Sequence, residues 1–169
     1  MPSFFSSDIQ DVVYKLLISL IISLVALPIH EYAHGYAAYR MGDNTAYRQG
    51  RLTLNPLVHI DPLGTLALVL FGFGWAKPVQ INPLNFENPK KGMMLSALAG
   101  PLSNVGLAFI SMVFYKLSYI PVYMGISGAF IMTVQTFLLY MISINIKTAI
   151  TSLGEILGES ISEDVLDKI

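Results

Sequence analysis

The sequence contains no cysteine. Disulfides and thiolate metal sites are therefore excluded, and any metal must rest on histidine and carboxylate. Charge is scarce as well: 12% of the 169 residues are charged, 54% are hydrophobic, and the mean hydropathy is +0.60. That is too apolar for an ordinary soluble domain. The length allows one compact membrane unit, 1–169, with no room for a separate folded domain. Ten basic and eleven acidic residues nearly cancel, so net charge gives no sign of a nucleic-acid partner and none is expected. There is no internal repeat. The first segment does not read as a cleaved signal peptide: its leader carries Asp8 and Asp11 in place of a basic cluster, and no small-residue cleavage site follows.

Histidine is rare too, and two of the three histidines fall in one pentapeptide, His30-Glu31-Tyr32-Ala33-His34. It ends an apolar run, 16–29, that holds no charge, and Glu31 is the only acidic residue between Asp11 and Asp43. On an α-helix, residues four apart share a face, so His30 and His34 can reach one ion. Zn²⁺ accepts neutral imidazole nitrogen, and catalytic zinc sites usually have three protein ligands and one open position. Glu31 lies beside the first ligand, where it can take a proton from water. On a soluble helix the same string would leave both histidines solvated and the glutamate in a surface pair. Here, burying ionisable groups at membrane depth costs about 2.5–3.5 kcal/mol each even on a lenient scale, which favours a metal site.

Hydropathy predicts an all-α membrane protein with about three transmembrane helices, over 12–39, 92–116 and 122–146. The first, 28 residues, would be about 42 Å long against a hydrocarbon core of about 30 Å. Lys15 can snorkel at its start, and Pro28 should loosen or kink it just ahead of the pentapeptide. Such a kink either admits water or is an ordinary transmembrane proline, and the sequence leaves both readings open. The uncharged stretch 62–76 is too short to span and is expected to be a re-entrant or extended segment. Residues 147–169 form a polar tail biased to acid by Glu155, Glu159, Glu163, Asp164 and Asp167. Six of the ten basic residues (Arg40, Arg48, Arg51, Lys77, Lys90, Lys91) lie between the first and second spans. The positive-inside rule places that connection, and the opening of the site, on the cytoplasmic side of a multi-pass protein, provided 62–76 does not cross. His59, the third histidine, lies in a loop beside Asp61; taken alone, such a histidine is more often structural than a ligand.

Further strings then fall in a recognisable order: His30-Glu31-Tyr-Ala-His34-Gly, GRLTLNPLVHIDPLG (50–64), GWAKPV (74–79), NPLNF (82–86) and AGPLSN (99–104). With them the chain resembles the site-2 protease family of intramembrane zinc metalloproteases, in its compact stand-alone prokaryotic form. The resemblance implies Zn²⁺ as cofactor, His30 and His34 as metal ligands and Glu31 as general base. Asn104 is similar to an asparagine the family keeps near the site, and Asn104 and His59 are both candidates for lining it. It further implies a transmembrane protein or peptide as substrate, the lipid bilayer as surroundings and a prokaryotic plasma membrane as location; a homo-oligomer is left open. One part of the family pattern is missing. An aspartate in a Leu-Asp-Gly motif, the family's third ligand, should follow soon after Asn145, where the sequence reads NIKTAITSLG (145–154). Asp167 is a poor substitute, lacking the glycine, the prolines and a following helix. A truncation or shifted reading frame near Asn145 would account for this, and the chain as written is expected to be a weak or inactive protease. The competing expectation is an inactive membrane protein that binds helices through the same core. A transporter fits less well, because the other spans hold no ionisable residue to couple to an ion.

Overall fold

A computed structural model describes residues 9–71, 77–126 and 128–166. It is 80% helical, with no strand among the described residues. In chain order the helices are α1 (Ile9–Arg40), α2 (Thr45–Arg48), α3 (Pro56–His59), α4 (Pro62–Phe71), α5 (Pro89–Leu117), α6 (Tyr119–Tyr123) and α7 (Ala129–Leu166), with a 3-10 turn at Pro83–Asn85. The expected all-α architecture with three membrane-length helices is what the structure has. Segments of α1, of α5 with α6, and of α7 are each long and apolar enough to cross a bilayer.

Four dipeptides in the polar connection dictate where its helices begin. Asn55-Pro56, Asn82-Pro83 and Asn88-Pro89 each place an asparagine at the cap and a proline at the first helical position. The asparagine side chains accept from Leu57 N at 3.1 Å, Leu84 N at 3.1 Å and Lys91 N at 3.0 Å. Asp61-Pro62 repeats the device with a carboxylate, accepting from Gly64 N at 2.8 Å. The side-chain oxygen satisfies an otherwise orphaned N–H, and proline gives up an N–H that would have had no partner there.

The connection is tied down by Asp43, which is fully enclosed. Its carboxylate accepts from Thr45 N at 3.0 Å, Thr45 Oγ1 at 2.5 Å, Asn85 Nδ2 at 2.7 Å and Asn82 N at 2.8 Å. Burial alone would raise the pKa of this carboxyl, but the hydrogen bonds from Thr45, Asn85 and Asn82 outweigh it and hold the pKa below the usual carboxylate value. Gly42, at φ +109°, makes the turn into this clamp. A Cβ there would sit 3.1 Å from the Asn85 carbonyl oxygen.

Helix α5 packs against both α1 and α7, which touch each other less. It can serve two neighbours because its buried positions Gly92, Ser96, Gly100, Asn104 and Ala108 recur every fourth residue and are mostly small. Towards the start of α1, Ile18, Ile22 and Ala26 meet Met141, with Leu107, Phe137, Tyr140 and Ile144 packed around them. Many large apolar side chains point outwards, among them Leu17, Ile21, Phe109, Phe114 and Phe130. An apolar exterior of this extent suits hydrocarbon rather than water.

Two elements depart from the hydropathy reading. The third long helix begins at Ala129, because 119–123 form α6 and Gly125 turns the chain at φ +80°. It then runs unbroken to Leu166, so most of the polar tail is a continuation of α7. Within 62–76, residues Pro62–Phe71 are helical and ten residues long, about 15 Å and half a bilayer core; 72–76 lie outside the described residues.

Candidate metal centre

The pentapeptide lies in the last third of α1 and begins two residues after Pro28, whose missing N–H leaves the Leu24 carbonyl without its helical donor. The four-residue spacing puts both imidazoles on the face that meets α5. His30 Nε2 and His34 Nε2 are 2.9 Å apart, with the rings edge to face. Across from them stands Gly100. A Cβ at that position would lie 2.7 Å from His30 Cε1 and closer still to the His34 ring. The two rings thus occupy space that only glycine leaves open.

His34 has a defined protonation pattern. Its Nδ1 lies 2.7 Å from the Ser96 carbonyl oxygen, which can only accept. Nδ1 therefore carries the hydrogen, and Nε2 presents a lone pair towards His30. An imidazole that donates through one nitrogen and offers the other is the usual form of a metal-ligating histidine. Pro101, in the next turn of α5, leaves the Ala97 carbonyl without its helical donor and loosens the helix at this level.

Glu31 faces differently from the two histidines. Its Oε2 accepts from Val79 N at 2.9 Å, across 48 residues of sequence. The stretch after Lys77 is thereby held along α1, and Val79 Cγ1 lies over Gly35, where a Cβ would be 3.1 Å away. Arg51 Nη1 donates to the Lys77 carbonyl at 3.3 Å, and Lys77 N donates to the His59 carbonyl at 2.9 Å, so the same stretch is pinned at its start.

A cleft of about 380 Å³ opens beside the pentapeptide. Its walls are Ser23, Ala26, Leu27, His30 and Glu31 from α1, Asn104 from α5, and Ile144, Thr148, Ser152 and Glu155 from α7. Asn104 thus shares this cleft with His30 and Glu31. His59 does not. It is fully buried elsewhere, with Nε2 2.9 Å from the Thr53 carbonyl, and serves to close the loop between α2 and α4. Asp167 lies outside the described residues, as do the first three residues of the GWAKPV string.

The residues present suit a zinc ion in part. Two imidazoles converge, one has its tautomer set by a carbonyl, and Gly100 keeps the space open. Among the described residues no third histidine, aspartate or glutamate completes a metal-binding cluster with them. The cleft's two carboxylates are Glu31 and Glu155. The sequence reading gave Gly100 and Ser96 no part in the site and placed Glu155 in a polar tail. The available signal was spacing: 144, 148, 152 and 155 fall on one face of a helix that continues past Lys147.

No family model and no solved structure matches the chain. Curated relatives do. The protein named "Putative zinc metalloprotease YwhC" of Bacillus subtilis is 50% identical over 95 residues, 56% of this chain and 42% of that protein. "Putative zinc metalloprotease Rip2" of Mycolicibacterium smegmatis is 33% identical over 92 residues, 52% of this chain and 35% of that protein. Its namesake in Mycobacterium tuberculosis is 29% identical over 122 residues, 68% and 47% respectively. The chain spans less than half the length of the curated relatives it matches. These likenesses support a metalloprotease, and with it zinc, in a helical chain that has three membrane-length helices.

Proposed function

We propose that the chain is an intramembrane zinc metalloprotease of the site-2 type, which hydrolyses peptide bonds in the transmembrane segments of other proteins. The observation that carries this reading is the convergence of His30 Nε2 and His34 Nε2 at 2.9 Å over Gly100, on a membrane-length helix. His30 and His34 would hold the ion. When bound there, zinc supplies Lewis acidity, activating water and polarising the scissile carbonyl. Glu31 lines the same cleft and is the general base, taking a proton from water and returning it to the leaving amine. For that work it must exchange the Val79 N–H for water. The basic connection lies on the cytoplasmic side of the membrane and the cleft opens towards it.

A second reading is favoured by one observation, the lack of a third ligand among the described residues. Two imidazoles leave two positions open where a catalytic site leaves one, and they fix the ion poorly. On that reading the chain keeps the protease core but works as a helix-binding membrane protein. The experiment is cleavage of a single-span model substrate in proteoliposomes, with zinc content measured on the same preparations. Cleavage that vanishes in Glu31→Gln, with zinc retained, supports the protease. Absence of cleavage in every preparation supports the binding reading.

A further inference from the structure

We propose that Asn104 is the positioning residue for His30: its carboxamide oxygen accepts from His30 Nδ1–H and so turns the Nε2 lone pair towards the metal. The proposal rests on the metal-site reading above. Both imidazoles must present unprotonated Nε2 atoms if one ion is to lie between them. For His34 the structure provides this through the Ser96 carbonyl, 2.7 Å from Nδ1. With Nε2 kept for the ion, the hydrogen of His30 belongs on Nδ1, and a buried Nδ1–H needs an acceptor.

Two acceptors stand near His30, the Gly100 carbonyl and the Asn104 carboxamide oxygen; the first already accepts from Ser103 Oγ at 2.7 Å. His30 Nδ1 and Asn104 Oδ1 are both buried, and neither has a hydrogen-bond partner. Asn104 is 1% exposed. It lies against the His30 ring and lines the same cleft. The register explains why it is there. α1 and α5 run antiparallel, so Ser96 meets His34, Gly100 meets both rings, and Asn104, one turn further, arrives at His30. A four-residue period on each helix thus supplies one acceptor per imidazole. Metal ligation by histidine characteristically has such a partner on the far nitrogen, and its loss lowers metal affinity by about 10–100-fold.

The test uses the detergent-purified chain, with zinc affinity measured by chelator competition and histidine tautomers read from ¹⁵N–¹H imidazole spectra. Asn104→Leu keeps the volume and removes the acceptor; Asn104→Asp keeps an acceptor. The expected result is zinc affinity about 10–100-fold weaker in Asn104→Leu, restored by Asn104→Asp. His30 should carry its hydrogen on Nδ1 in the zinc-loaded wild type. An unchanged His34 tautomer in Asn104→Leu shows that the α1–α5 contact survives, so a loss of affinity there is not a loss of fold. Wild-type affinity in Asn104→Leu, or His30 with its hydrogen on Nε2 in the zinc form, overturns the proposal. His34→Ala distinguishes the two levels: if it too leaves zinc unchanged, the metal-site reading falls along with this one.

Discussion

The Nδ1 of His34 donates to the Ser96 carbonyl at 2.7 Å, and this bond joins the pentapeptide helix to the central helix at the level of the site. It orients one imidazole without using any side chain of α5. The other imidazole lacks a counterpart to this bond, since His30 Nδ1 is buried and unpaired. The two histidines are therefore unequal, and substitutions around them should separate their roles.

Alanine at His30 or at His34 should abolish stoichiometric zinc while membrane insertion continues. The chain has no thiolate to replace either ligand. Metal analysis of the purified variants checks this. Stoichiometric zinc in the double variant would remove the metal site altogether.

Gly100→Ala should weaken zinc binding although no ligand is changed. A methyl group at that position overlaps the His34 ring and approaches His30 Cε1 to 2.7 Å, so the imidazoles must turn away. Overpacking of this kind costs about 1–3 kcal/mol of stability. Thermal unfolding in detergent reads the first effect and chelator competition the second. Wild-type zinc affinity in Gly100→Ala would show that the rings do not need this space.

Acid should loosen the polar connection before it unfolds the long helices. Hydrogen bonds hold the folded pKa of Asp43 below its ordinary 3.8. The stabilisation is therefore fully present above the unfolded value and is lost as pH falls through the folded one. Hydrogen exchange of 43–45 and 82–85 should rise below about pH 4, with exchange in α5 little changed. Asp43→Ala should reproduce this at neutral pH and cost about 2–3 kcal/mol. A connection equally protected at pH 3 and pH 7 would contradict the clamp.

A reporter inserted between Asn85 and Lys91 should be cytoplasmic, since Arg40, Arg48, Arg51, Lys77, Lys90 and Lys91 gather in this connection. Protection from an external cysteine reagent or protease in intact cells is the measurement. External accessibility would reverse the orientation and place the cleft on the opposite face.

Much of this architecture was legible in the residues themselves. Four-residue spacing placed His30 and His34 together, and hydropathy found all three long helices. The Asn-Pro and Asp-Pro pairs carried their helix starts in plain view. Contacts between segments distant in sequence were not legible. Nothing local says that Val79 meets Glu31, because a backbone N–H has no sequence signature. Likewise, His59 could be assigned only once its Thr53 partner was seen. The continuation of α7 beyond Lys147 was hidden by reading hydropathy alone: its residues become polar there, yet the stretch contains no proline to end the helix.

The spaced small residues of α5 also set limits on how this protein can vary. At Gly92 an added Cβ would run into the Phe86 ring, and at Gly100 into two imidazoles, whereas at Gly106 nothing lies within 4 Å. Positions 92, 96, 100, 104 and 108 are enclosed, while Leu102, Val105, Phe109 and Phe114 face outwards. Tolerance to enlargement along this helix should therefore rise and fall with a period of about four residues. A saturation library of α5, scored for surviving folded protein, would trace the helix's inner seam directly, and lineages of this chain should drift freely on the lipid side while the seam stays narrow.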